Sequence, residues 1–100
     1  MADAPMQPAT IQMVTCPATP AGTIMTNDLV DGYMPTSVTI NAGQVVKFMT
    51  SASHDVSPDA SSPAVLHIPF NTTACLMFTQ SGMFGFHCSI HGFSGSVVVQ

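Results

Sequence analysis

Apolar and polar residues alternate at period 2 in a series of short runs, the pattern of half-buried β-strands. Thr10 to Cys16 opens the series, with Ile11 and Met13 on one face, and Thr23 to Thr26 resumes it after Pro17, Pro20 and Gly22. Asn27 to Pro35 reads as a loop in which Asp31-Gly32 supplies the turn. Ser37 to Asn41 and Gln44 to Thr50 form two strands around Ala42-Gly43. Ser51 to Pro69 carries Pro58, Pro63 and Pro69 and reads as a long loop with room for one short helical turn. Thr72 to Thr79, Met83 to Cys88 and Ser94 to Val99 complete the set, with a turn at Ser81-Gly82. Helix signals are nearly absent, and turns fall about every 8–12 residues, so the pattern predicts an all-β sandwich. Residues 1–8 are small and Pro-rich and read as a flexible arm, leaving 9–100 as a single domain.

The densest chemistry lies between Gly82 and Gly95, G-M-F-G-F-H-C-S-I-H-G-F-S-G. Phe84, Phe86 and Cys88 alternate there, which carries Cys88 into the interior at the end of its strand. His91 follows after a short turn, near enough for both side chains to reach one metal. His54, in S-A-S-H-D-V, is the best upstream candidate for a third ligand. Taken singly, Cys88 reads equally as a small core residue and His54 or His91 as a loop histidine. Taken together, two imidazoles and a thiolate form the trigonal set that favours copper in electron transfer.

With these pieces in view, the chain resembles the cupredoxins, the blue type 1 copper proteins, in particular plastocyanin-like and amicyanin-like members. The resemblance runs from about Tyr33 onward, through Y-M-P-T-S-V-T-I-N-A-G-Q-V-V-K-F, S-H-D-V, F-T-Q-S-G-M-F-G-F-H-C-S-I-H and the closing G-S-V-V-V. It implies a Greek-key sandwich of about seven to eight strands and one copper ion held by His54, Cys88 and His91. Such proteins usually carry Asn where Asp55 stands, tying the two ligand loops together. An ionised Asp accepts hydrogen bonds but donates none, so Ser89 is expected to supply the donor. The family's axial Met is missing, because His91 is followed by Gly92-Phe93-Ser94-Gly95. Phe93 is the favoured cap on a three-coordinate site; Ser94, water or the carbonyl of Ser53 are the alternatives. His87 should point outward beside the thiolate, as an electron exit or a plain surface histidine, and His67 has no evident role.

Composition narrows the function. The one basic residue, Lys47, stands against five acids, for a net charge of −4, which argues against nucleic acid or an anionic membrane as partner. No apolar run reaches the roughly 20 residues of a membrane span. Cysteine is present three times; with Cys88 on the metal, Cys16 and Cys75 are left to pair, the alternative being two buried free thiols. A bridge implies an oxidising compartment, and the start reads like a mature periplasmic or extracellular chain from which a signal peptide has gone. There are eight Met residues; most suit core filling, Met6 and Met34 being the exceptions that soft-ion handling would use. The sequence therefore predicts a monomeric one-electron carrier, not an enzyme, meeting transient redox partners through an apolar patch of Ile90, Phe93, Met34 and Pro35 around His91. Its rivals are a copper tolerance or delivery protein and a small-ligand enzyme with an open axial position, separable by copper off-rate and azide titration.

Overall fold

The computed structural model describes residues 10–100, so the arm expected at residues 1–8 lies outside the described residues. Nine strands follow one another: β1 (Ile11–Val14), β2 (Gly22–Asn27), β3 (Val30–Met34), β4 (Ser37–Ile40), β5 (Gln44–Met49), β6 (Ser57–Pro58), β7 (Thr73–Phe78), β8 (Gly82–His87) and β9 (Ser94–Val99). They form two sheets, one ordered β1-β7-β5-β2-β3 and the other β4-β9-β8-β6. Pairing is antiparallel except between β2 and β5 and between β4 and β9. The period-2 pattern determines which side chains face inward. Val46 and Phe48 of β5, Leu76 and Phe78 of β7, Phe84 and Phe86 of β8, and Val97 and Val99 of β9 all enter one core.

Two features depart from the sequence reading. The segment 27–35 is no open loop, since Val30–Met34 pairs with β2. Its turn sits at Asp28-Leu29 rather than Asp31-Gly32, and Asn27 Oδ1 accepts from the N–H of Leu29 at 2.9 Å. What the local propensity missed is the pull of Tyr33, 3% exposed, whose ring packs edge-on to Phe86 at 4.8 Å. Burying that aromatic outweighs the turn preference of Asp-Gly. The long segment 51–69 also gains the two-residue β6 and a bridge between Val56 and Ile68. These additions raise the count above the seven to eight strands expected.

Aromatic packing fixes the end of the sandwich that matters most. Phe86 lies between Tyr33 and Phe48, with centroids 4.8 and 5.7 Å away. Gly95 lies directly across from Phe86 on β9. A Cβ there would stand 2.7 Å from the Phe86 ring and 2.8 Å from the Thr36 carbonyl. Glycine is what lets β9 approach so closely. Among the described residues, no helix is long and apolar enough to cross a membrane.

Cys16 and Cys75 form a disulfide, with a sequence separation of 59 and Cα atoms 5.1 Å apart. It ties the chain just beyond β1 to the middle of β7, leaving Cys88 as a free, buried thiol. Closing a loop of that length restricts the unfolded chain by roughly 4 kcal/mol in the chain-entropy view. Thiol titration of the metal-free protein, unfolded without reductant, is accordingly expected to find a single reactive thiol. A count of three would remove the bridge from the fold.

Candidate metal centre

Cys88 directly follows β8 and opens a tight turn. The Gly92 N–H donates to the Cys88 carbonyl and the Cys88 N–H to the Phe93 carbonyl, both at 2.9 Å. Gly92, at φ 77°, sits in the left-handed region that glycine tolerates best. This turn brings His91 back over Cys88. His54 arrives from the loop after β5, which is pinned on two sides. The Ser51 N–H donates to Thr26 Oγ1 at 2.8 Å, and the N–H and hydroxyl of Ser53 both donate to Asp28 Oδ1, at 3.0 and 2.7 Å. Two loops with separate anchors therefore meet at one end of the sandwich.

Where they meet, three donor atoms converge. His54 Nδ1 lies 3.1 Å from His91 Nδ1, and Cys88 Sγ lies 3.8 and 3.7 Å from those two nitrogens. Each side of the triangle suits ligands sharing one ion. Cys88 and His54 are buried while His91 is exposed, so the site is shielded on one side and reachable at the His91 edge. Among the described residues, His54 Nε2 is buried without a hydrogen-bond partner, and Asp31 Oδ1 lies 3.6 Å from it. With Nδ1 turned to the metal position, Nε2 carries the hydrogen and faces that carboxylate.

Electrostatics favour a thiolate. Burial pushes the Cys88 thiol up, but hydrogen bonds from the backbone of His91, Asp55 and Ile90 and from the His91 ring outweigh it and bring it down to about 7. His91 is raised in turn, chiefly by its bond to Cys88. The ligands thus resemble a partly formed ion pair, and a thiolate is the form that binds metals. Burial also pushes the Asp55 carboxyl up, yet it ends below its usual value because Ser89 bonds it through both backbone and side chain. Those bonds run from Ser89 N to Asp55 Oδ1 and from Ser89 Oγ to Asp55 Oδ2, each 2.8 Å. Asp55 is the residue after His54 and Ser89 the residue after Cys88, so the bonds join the two ligand loops.

The remaining candidates are placed as follows. The half-buried Phe93 sets its ring edge-on to His54 at 4.8 Å and parallel to His91 at 6.5 Å. Ser94 is paired with His87 across β8 and β9 and is exposed on that outward face, away from Cys88. His87 Nδ1 bonds Asp59 Oδ1 at 2.7 Å at the surface. His67 is exposed. Two contributors were not singled out from the sequence. Tyr33 donates its hydroxyl to the Asp55 carbonyl at 2.6 Å and packs on Phe93 at 4.8 Å, and burial holds its phenol well above the ordinary range. Asp31 was read only as a turn residue. No local signal marks it, because its approach to His54 depends on β3 pairing with β2.

No family model matches the chain, and no curated protein sequence matches it. Solved structures do. A reduced point mutant of amicyanin superposes with a TM-score of 0.73 at 20% identity, covering 91% of this chain and 99% of its own. The reduced Cu(I) form of another amicyanin mutant at pH 4 gives 0.72 at 20%, with the same coverage. Amicyanin from Paracoccus versutus gives 0.67 at 18%, covering 91% and 98%. The resemblance read from the ligand motifs and the architecture therefore agree, and this chain has the fold of the amicyanin structures it superposes on.

Proposed function

We propose that the protein binds one copper ion through His54 Nδ1, Cys88 Sγ and His91 Nδ1 and carries single electrons between redox partners. The observation that supports this reading is the triangle of donors with sides of 3.1, 3.7 and 3.8 Å. One thiolate with two imidazoles suits copper better than a hard cation would. Bound there, copper would supply the one-electron Cu(II)/Cu(I) couple.

The chain's own residues do the rest. Cys88 directly follows the strand that carries Phe86, His54 packs against the Phe93 ring, and the Asp55–Ser89 bonds tie the two loops together, so the donors would keep their positions whatever the charge between them. Phe93 covers the ligands from the side where a fourth donor would approach, and as an apolar cap it excludes water. Ile90, Met34 and Pro35, expected to flank the His91 edge, are all exposed. Leu29, 94% exposed, lies on the β2–β3 turn, which is fastened to the His54 loop through Asp28 and Ser53. That face suits brief docking with an apolar partner surface. His87, held by Asp59 and covalently next to Cys88, offers a second route outward. The disulfide fits an extracytoplasmic setting.

Three outcomes test the reading. Copper-loaded protein is expected to show an intense visible thiolate-to-copper band that Cys88→Ser abolishes while the fold persists; a band surviving that substitution rejects the site. Phe93→Met is expected to place a donor over the metal and lower the reduction potential, since a thioether favours the oxidised ion. An unchanged potential and spectrum would remove Phe93 from the axial position. Asp55→Ala breaks the tie between the loops, and copper affinity in a chelator competition is expected to fall about 10–100-fold. Asp55→Asn, which still accepts from the Ser89 N–H, is expected to lose less; equal losses for the two would deny the tie its role.

A further inference from the structure

The five-stranded sheet carries on its outer face a feature that neither the core nor the metal centre uses. Met25 of β2 pairs with Met49 of β5 on one side and with Met34 of β3 on the other. Residues directly paired across strands share a face, so the three thioethers stand in one row across three neighbouring strands. The inward neighbours Ile24, Phe48 and Tyr33 are all buried, which turns the methionines outward. Met25 and Met34 are 42% and 41% exposed, and Met49 is partly exposed. Core filling, the usual reason for methionine, does not apply to side chains on this face.

Strands are spaced about 4.8 Å apart, and methionine has three side-chain torsions ahead of its terminal methyl with which to swing its sulfur. The outer two side chains can therefore lean towards Met25, letting three sulfurs meet one ion. Met34 is already oriented, with the Asn27 side-chain amide 3.9 Å from its sulfur. Thioethers are neutral, soft ligands that select monovalent soft cations over hard ones. Asp31 lies in β3 three residues before Met34, and Asp28 in the turn joining the two strands; both make the end of this sheet attractive to a cation. Lys47, on the same face two residues before Met49, opposes that attraction from the far side.

We infer that Met25, Met34 and Met49 form a second, exposed site for a soft monovalent cation, Cu(I) or Ag(I), separate from the His54–Cys88–His91 centre. Binding is by coordination alone, with no electron transferred. The site would let the protein hold a cuprous ion at its surface, beside the loops that carry the buried ligands.

Silver(I) is the probe, because it is soft, monovalent and redox-silent. The Cys88→Ser protein, with its methionine methyl groups isotopically labelled, removes competition from the thiolate and makes the result independent of the buried centre's role. The methyl resonances of Met25, Met34 and Met49 are expected to move together and saturate at one equivalent, while those of exposed Met13 and Met83 stay still. Met25→Leu and Met49→Leu, close in volume and well tolerated, are each expected to weaken silver binding at least tenfold in a competition titration. Movement of every exposed methyl in step, or unchanged affinity in both variants, would overturn the site. Silver held by the two histidines instead would leave Met49 indifferent, and that result also overturns it.

Discussion

Three lone-pair donors crowd together at one end of the sandwich, Cys88 Sγ and two imidazole nitrogens, none more than 3.8 Å from another. Such groups do not gather by themselves; two are buried and one is a group whose ionised form dislikes burial. Everything nearby serves to hold them. The tight turn from Cys88 to Gly92 supplies two of the donors within four residues, and the anchored loop after β5 supplies the third. Asp55 joins the two segments through Ser89, and Tyr33 joins Asp55 to the aromatic layer below.

Under the proposed function, this arrangement would suit electron transfer. A site whose donors are positioned by strands, hydrogen bonds and rings rearranges little when its charge changes by one. Burial of Cys88 and His54 shields the inner side, and the exposed His91 edge is where the proposed partner would dock. Phe93, whose ring lies against His54 and His91, is where the proposed site departs from the pattern the chain resembles. On the proposed reading a ring stands there in place of a donor, and polarity on that side would be set by packing rather than by coordination.

Most of the fold was legible because period-2 alternation is strong in β5, β7, β8 and β9, whose inward residues make the core. The cluster of His54, Cys88 and His91 was legible because Cys88 and His91 are close in sequence and His54 sits in its own motif. β3 was not, since Asp31-Gly32 is a good turn and only the burial of Tyr33 against Phe86 overrides it. The same error hid Asp31, whose approach to His54 follows from β3 pairing with β2. The methionine row was equally invisible: Met25, Met34 and Met49 lie in three separate segments, and strand register alone aligns them. The placement of Ser94, paired with His87 on the outward face, likewise follows only from the register of β8 and β9.

The central claim is that one sulfur and two nitrogens of this chain bind a single copper ion with nearly the same geometry in both oxidation states. X-ray absorption of the copper-loaded protein, oxidised and then reduced, tests it most directly. The account predicts one short sulfur scatterer and two nitrogen scatterers in each state, with small changes in distance between them. A spectrum lacking the sulfur, or a large rearrangement on reduction, would contradict it.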